Sequence, residues 1–291
     1  MLAYTQTLQT EPILGILSAR SPTSVVDIGA NPLEGGQPPY APLLQRGLCR
    51  LTGFEPHAEA LAKLNAAKGP HETYLPVAVG DGREHTLHIC KTAGMSSLLE
   101  PDEAALRMFP MFPIWGEVIG RQTVSTVQLD NVASVKAIDF LKIDVQGAEL
   151  MVFQHGRTKL AEAIAIQTEV SFVPLYKNQP SYGEVDTELR SLGFIPHTFT
   201  SLNCRLLKPL QTNDPFSALK QIIEADAVYV RDFRKMEAMS EHQLHQLALV
   251  SHYSYSSFDL AARCVRELER RSAPRTATLA RWPAELVPTN P

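Results

Sequence analysis

The chain is poor in aromatic residues, in clustered cysteines and in any strong excess of charge. Aromatic residues make up 7% of its 291 residues, and its four cysteines are Cys49, Cys90, Cys204 and Cys264. The cysteines lie far apart and form no CxxC pair, so we expect buried, inert thiols rather than a zinc site. The net charge is -4 and there is no long run of Lys and Arg, which argues against sequence-independent binding to the phosphates of nucleic acids.

Long hydrophobic runs are absent as well. No segment approaches the ~20 apolar residues that cross a bilayer. The first twenty residues lack a basic stretch followed by an uninterrupted apolar one, the pattern of a secretory signal. The sequence therefore predicts a cytoplasmic protein with neither a membrane nor a nucleic acid as partner.

The chain does contain a regular alternation of apolar strands and helical segments. Predicted strands are SVVDIGAN, CRLTGFEP, TYLPVAVGDG, HTLHICK, QTVSTVQLD, IDFLKIDVQGAE, AIAIQTEVSF, FIPHTF and EADAVYVRD. This alternation predicts a doubly wound α/β fold, because parallel strands are joined through right-handed helical crossovers. The last two strands are joined by residues 200–221 without an obvious helix, which predicts an antiparallel hairpin at one edge of the mostly parallel sheet.

We expect three segments along the chain: an N-terminal helix over residues 1–22, an α/β domain over 23–235, and C-terminal helices with a tail over 236–291. The C-terminal helices are expected to cover the sheet edge or to form a subunit interface, which leaves a homo-oligomer open. Residues 108–115, rich in Phe, Met and Pro, read either as a lid over an acceptor pocket or as an apolar loop or dimer contact.

Acidic side chains stand at the ends of the first three predicted strands, where open α/β sheets bind ligands. The first strand ends in DIGAN at residues 27–31, which is not the GxGxxG of dinucleotide sites. A carboxylate at Asp27 would repel a pyrophosphate but suits a cationic cofactor with an amino-acid tail. Glu55, after the second strand, can accept both hydroxyls of a ribose. Asp81, after the third, fits an adenine amino group or an ordinary Asp-Gly turn equally well.

The most informative strand is FLKIDVQGAE. Lys142 and Asp144 alternate along an apolar strand, so both are expected on one face, where a buried charged pair is costly unless it is paired or serves a site. Glu149 reads as a first-turn helix carboxylate. Glu169, at the end of the next strand, is a further carboxylate at the same edge.

Several of these segments together resemble one family. VVDIGAN, GFEP, AVGDG, DFLKIDVQGAE, IQTEVSFVPLY and EADAVYV, over about residues 23–231, are similar to the FkbM-type methyltransferases. The resemblance implies a class I methyltransferase (Rossmann-like) fold and S-adenosylmethionine as cofactor. It also implies O-methylation of a hydroxyl on a sugar, glycan or natural product as the typical reaction.

By motif position the resemblance also implies roles for individual residues. It implies that the methionine side of the cofactor is lined by Asp27, Gly29 and Asn31, with Glu55 on the ribose and Asp81 near the adenine. The segment GMSSL places Ser97 near the cofactor as well. Two features depart from the family pattern: Gln146 stands where KIDVEG is common, and the loop NPLEGGQPPY is longer and richer in proline.

Methyl transfer from a sulfonium is an in-line displacement, and a hydroxyl acceptor needs a positioned base. We expect Asp144 to serve or orient the acceptor beside the cofactor, Lys142 to keep that carboxylate charged and Glu169 to assist. An alternative has Asp144 and Glu169 bind a divalent metal. Two other functions stay open: a nicotinamide-dependent oxidoreductase, disfavoured by the missing phosphate-binding glycines, and a non-catalytic binding module that retains the fold.

Overall fold

The computed structural model describes residues 21–31 and 36–271. The predicted N-terminal helix and the C-terminal tail lie outside these ranges. Ten strands are described: β1 (Thr23–Ile28), β2 (Cys49–Phe54), β3 (Glu72–Leu75), β4 (Ala78–Gly80), β5 (Glu84–Cys90), β6 (Val118–Gln128), β7 (Phe140–Ile143), β8 (Ala165–Ser171), β9 (Phe194–Arg205) and β10 (Gln221–Arg231). Nine α-helices are described: α1 (Ala41–Gln45), α2 (Ala58–Ala67), α3 (Glu103–Leu106), α4 (Phe112–Trp115), α5 (Glu149–Gln154), α6 (Arg157–Leu160), α7 (Tyr182–Ser191), α8 (Glu241–Tyr255) and α9 (Phe258–Arg271).

Seven strands form one sheet, in the order β3-β2-β1-β7-β8-β10-β9. The first five of these pair in parallel, whereas β10 runs antiparallel to both β8 and β9. The predicted α/β fold, mostly parallel with an antiparallel hairpin at one edge, is confirmed. The strand order reverses between β1 and β7, so the carboxyl ends of these two strands mark the crevice where such sheets bind ligands.

One predicted strand is in fact two. The segment TYLPVAVGDG divides at Pro76 into β3, in the main sheet, and β4, which pairs with β6 in a separate three-stranded sheet of order β4-β6-β5. Proline has no N–H to donate to a ladder and fixes its own φ, which favours a break between two strands at this position. The segment GAELMVFQHGRTKL, whose sequence predicts one helix over residues 147–160, is likewise divided, into α5 and α6.

The two faces of the main sheet carry separate apolar cores. One face packs against α5, α6 and α7, and the other against α1, α8 and α9. Eleven of the fifteen residues of α8 are buried, so this helix is part of the core. The predicted division of the chain at residue 236 remains a prediction, but the helices beyond it complete one face of the sheet. Within residues 21–31 and 36–271, no helix combines the length and apolarity that a membrane span requires.

A single guanidinium ties two helix ends to the sheet. Arg231, the last residue of β10, packs its guanidinium over the Phe194 ring, 4.2 Å from the centroid. Its N–H groups donate to the carbonyl oxygens of four residues near the ends of α6 and α7: Leu160, Ala161, Ala163 and Leu192. The last carbonyls of a helix have no partner within the helix, so this side chain replaces water at two ends at once.

We expect Arg231→Leu to lower the free energy of unfolding by about 3 kcal/mol, because partly buried carbonyls lose charged donors. Urea denaturation would measure the loss as a lower midpoint at unchanged slope. Arg234→Leu is the matched control, since Arg234 is exposed and pairs only with Asp232 in the contacts described here. An equal loss in both variants would contradict the capping role.

Candidate active site

The ends of β1 and β7 bring the first group of predicted site residues together. In the parallel register Asp27 lies opposite Lys142, and the backbone N–H of Asp144 donates to Ile28 O at 3.0 Å. Lys142 Nζ lies 3.5 Å from Asp27 Oδ1 and donates to Gly29 O at 3.4 Å. The ion pair of Lys142 is therefore made across the strands with Asp27. The expected effect of Lys142 on Asp144 stays a prediction.

Asp27 is 3% exposed, and the Tyr40 hydroxyl donates to its Oδ2 at 2.6 Å. Burial raises the pKa of Asp27, while Lys142 and Tyr40 oppose the rise. Among the residues that the structure describes, Oδ1 has no hydrogen-bond partner, the Lys142 ammonium at 3.5 Å being its nearest ionic one. Oδ1 of Asp27 is therefore a buried carboxylate oxygen that can accept a further hydrogen bond. Tyr40 was not anticipated, because nothing local in the sequence shows that α1 returns to the end of β1.

Gly29 is required by the backbone at this strand end. Its φ is +82°, and a Cβ built on it would lie 2.0 Å from Asp144 O. Both the left-handed conformation and the close approach of the β7 turn exclude a side chain here. The glycine lets the two strand-end turns touch.

The other predicted cofactor residues occupy different surroundings. Glu55 is 5% exposed, its Oε1 accepts the His57 N–H at 2.7 Å, and burial raises its pKa. Asp81 Oδ1 accepts from the His85 ring at 2.7 Å and from the Arg83 N–H at 3.0 Å, as the carboxylate of an Asp-Gly turn does. The turn interpretation of Asp81 is thus seen directly, and its adenine contact stays a prediction.

A second group surrounds Gln146, in the turn after β7. Its Nε2 donates to Asp144 Oδ1 at 2.8 Å and to Glu169 Oε2 at 3.2 Å. Its backbone has φ +55°, and its carbonyl oxygen accepts from Ser97 Oγ at 2.6 Å. Ser97 is 1% exposed, and this buried hydrogen bond connects the GMSSL segment to the turn after β7. Asp144 and Glu169, predicted separately from two strand ends, are joined by one side chain.

Further carboxylates crowd the same region. Glu149 accepts from the N–H groups of Val145 and Gly147, and burial together with Asp144 raises its pKa to about 7. Burial, followed by the charges of Asp144 and Glu224, raises the pKa of Glu169 well above its ordinary value. Glu224 and Asp226 come from β10, where Asp226 pairs in register with Glu169. Sequence reasoning missed these two, since only the insertion of β10 beside β8 brings them here.

The Glu169 end of this group opens on a cavity of about 310 Å³. Gln146, Glu169 and Glu224 line it, and so do Phe112, Trp115 and Phe216, whose contacting rings form its aromatic wall. The ring centroids of Trp115 and Phe216 lie 5.5 Å apart. The apolar segment 108–115 therefore contributes to a pocket wall, as one of its two interpretations expected. Its closure as a lid remains a prediction.

Arg205 also lines this cavity, and its guanidinium lies 5.9 Å from the Phe112 ring centroid. Arg205 opposes the rise in the pKa of Glu224 that burial causes. Across the described part of the chain, no group of three or more His, Cys, Asp or Glu side chains is arranged to hold a metal ion. The Asp144–Glu169 metal alternative therefore remains a hypothesis about two carboxylates only.

Comparisons with known proteins bear on this site. Residues 27–196, more than half of the chain, match the family model described as the methyltransferase FkbM domain. No curated protein matches the chain. The resemblance drawn from the strand-end motifs is thus confirmed by an independent family model.

Distant matches among solved structures include the magnesium protoporphyrin IX methyltransferase of Synechocystis PCC 6803 with bound SAM. The two chains are 10% identical, the match covers 79% of this chain and 81% of that one, and the TM-score is 0.38. The plantazolicin methyltransferase BpumL in complex with SAH is 11% identical over 78% of this chain and 84% of its own, with a TM-score of 0.35. Likenesses this distant assign neither a cofactor nor an acceptor. The family model, which spans the strand ends that carry Asp27, Glu55, Asp144 and Glu169, decides the identity: the chain belongs to the FkbM methyltransferase family.

Proposed function

We propose that this protein transfers a methyl group from S-adenosylmethionine to a hydroxyl group of a sugar, glycan or natural product. The observation that carries the proposal is the Asp144–Gln146–Glu169 group, whose Glu169 end lines a cavity with an aromatic wall. A hydroxyl acceptor requires a base as it attacks, and a carboxyl with a raised pKa suits that role near neutral pH.

The residues at the sheet crevice fit the cofactor. Asp27 offers a buried carboxylate oxygen that accepts no hydrogen bond from the described residues, and such an acceptor suits the amino group of the cofactor's methionine part. Glu55 carries a second carboxylate at the end of the adjacent strand, which suits ribose hydroxyls. S-adenosylmethionine, when bound, supplies an electrophilic methyl group on a sulfonium. Asp27 and Glu55 would hold and orient it.

The protein's contribution to the reaction is then positioning and proton removal. The Glu169 carboxylate would take up the proton of the acceptor hydroxyl as that oxygen is methylated. Phe112, Trp115 and Phe216 would pack against the apolar face of an acceptor ring and exclude water from it. The Asp144 charge beside Glu169 makes the latter a stronger base.

Isothermal titration calorimetry with S-adenosylmethionine and its demethylated product tests the cofactor. Binding of neither would overturn the proposal. Mass spectrometry of candidate glycans and metabolites, after incubation with isotopically labelled cofactor, then tests the acceptor class. A labelled N- or C-methyl product in place of an O-methyl ether would retain the cofactor but contradict the hydroxyl acceptor.

We expect Glu55→Gln to weaken the binding of S-adenosylmethionine by roughly tenfold, because a charged hydrogen-bond acceptor is replaced by a neutral one. Glu59→Gln is the matched control. It removes the same charge from a side chain that is 73% exposed on α2, where it pairs with Lys63. Equal dissociation constants for Glu55→Gln and the unmodified protein would contradict the ribose assignment.

A further inference from the structure

Gln146 occupies an unusual position between two carboxylates. One side-chain nitrogen donates to Asp144 and to Glu169, while the same residue lines the cavity. We propose that Gln146 is a positioning residue, whose amide holds Asp144 and Glu169 together in one hydrogen-bonded pair at the cavity wall. This inference rests on the proposed function for its catalytic meaning, but not for its test.

The chemistry of the amide matches the task. A carboxamide nitrogen has two N–H donors, one for each carboxylate, and carries no charge of its own. A glutamate at this position would add a third carboxylate to the pair, and a hydrocarbon side chain would leave the two facing each other without a donor. The amide therefore offers each carboxylate an uncharged donor and lets the two lie close together.

The backbone of Gln146 is held so that the amide points at the pair. Its φ of +55° lies in the left-handed region, which costs a residue with a side chain roughly 1 kcal/mol. The buried Ser97 hydroxyl, which donates to the Gln146 carbonyl oxygen at 2.6 Å, helps to maintain this conformation. Strain that is retained and supported by a buried contact is typical of functional turns.

The surroundings make the two N–H donors important. The other ionisable groups that act on this pair and on its neighbours include Asp27 of β1, Glu149 of α5, Glu224 and Asp226 of β10, Tyr176 after β8, Lys142 of β7 and Arg205 of β9. Acidic groups outnumber the two cations, and Lys142 and Arg205 act on Asp226 and Glu224 respectively. With the amide removed, repulsion between Asp144 and Glu169 would be relieved mainly by protonation.

The test compares Gln146→Gly, Gln146→Asn and Gln146→Glu in the full-length protein. Glycine adopts a positive φ without strain, so Gln146→Gly removes the amide while keeping the turn. Gln122→Glu is the control, because it adds one carboxylate at an exposed position of β6. A carboxyl ¹³C NMR titration follows Glu169 directly, with its signal assigned by its absence in Glu169→Gln.

We expect the Glu169 midpoint to rise by about one pH unit in Gln146→Gly and by more in Gln146→Glu. Gln146→Asn, with a shorter amide, is expected to restore part of the difference, and Gln122→Glu to leave the midpoint unchanged. An unchanged midpoint in Gln146→Gly, or an equal rise in Gln122→Glu, would overturn the proposal. The titration needs neither cofactor nor acceptor, so absence of methyl transfer by the unmodified protein would count against the proposed function alone.

Once an acceptor is known, the same variants have a kinetic signature. The acidic limb of kcat/KM is expected to move to higher pH in Gln146→Gly, so that activity lost at pH 6 returns as the pH is raised. A loss of activity that is the same at every pH would indicate a purely structural role and would contradict the positioning role.

Discussion

Glu169→Gln is expected to lower kcat for methyl transfer by about 10²- to 10⁴-fold, the usual contribution of a general base, while S-adenosylmethionine still binds. Glu169 lines the cavity and its pKa is raised by burial and by the charges of Asp144 and Glu224. Glutamine keeps the shape and can still accept the Gln146 hydrogen bond, but it cannot take a proton. Stopped-time assays with labelled cofactor, together with calorimetry, would separate the loss of rate from a loss of binding.

Asp144→Asn separates the two carboxylates. If Asp144 acts by keeping Glu169 basic, its removal lowers the pKa of Glu169, and the acidic limb of the rate profile moves to lower pH with a smaller loss of rate. If Asp144 is itself the base, Asp144→Asn shows the larger loss. Full turnover in Asp144→Asn with intact cofactor binding would contradict the latter role, and full turnover in Glu169→Gln would contradict the former.

Glu169→Gln is also expected to raise the stability of the protein, although it lowers the rate of methyl transfer. A carboxyl whose pKa is raised by folding contributes stability below its unfolded pKa and loses it as pH rises through the folded pKa. The ionised Glu169 therefore costs stability in alkaline solution. We expect the melting temperature of Glu169→Gln to equal that of the unmodified protein below about pH 4 and to exceed it at pH 8. A gain in stability with a loss of rate is the pattern of a group retained for its chemistry.

Much of the architecture is visible in the sequence because it depends on local patterns. Apolar runs that end in DIGAN, GFEP and KIDVQG identify strands whose carboxyl ends share an edge, and the sheet order confirms that arrangement. Pro76 is also a local signal, because a proline at that position favours the division of the third predicted strand into two. The local pattern likewise placed Asp144 and Glu169 at the same edge of the sheet, since adjacent parallel strands end together.

The electrostatic partners were not predictable in the same way, because they depend on pairing between distant segments. The β1–β7 register places Lys142 beside Asp27. The position of α1 brings the Tyr40 hydroxyl to the same carboxylate. Glu224 reaches Glu169 only because β10 inserts antiparallel beside β8. Gln146 departs from the KIDVEG pattern in the sequence, but its role depends on a left-handed backbone conformation that a glutamine does not predict.

Gly29→Ala is expected to destabilise the fold by about 4 kcal/mol and to abolish cofactor binding at the same time. The added methyl would lie 2.0 Å from Asp144 O, and the neighbouring atoms at that contact are backbone, so no flexible side chain can move aside. Alanine is also strained at a φ of +82°. Because the end of β1 would have to separate from the turn after β7, the positions of Asp27 and Asp144 would change together. Urea denaturation and calorimetry on one preparation would measure both losses.

Gly120→Ala provides the comparison for that result. Gly120 lies in β6, and a Cβ there would meet Ile89 atoms at 3.6 Å, an ordinary contact. We expect this variant to keep both its stability and its affinity for S-adenosylmethionine. If Gly29→Ala instead retained its unfolding midpoint and lost only cofactor affinity, the glycine would serve the approach of the ligand. Loss of both would show that the contact between the two strand-end turns assembles the site. The packing of β1 against β7 would then be what places Asp27, which is expected to bind the cofactor, close to Asp144.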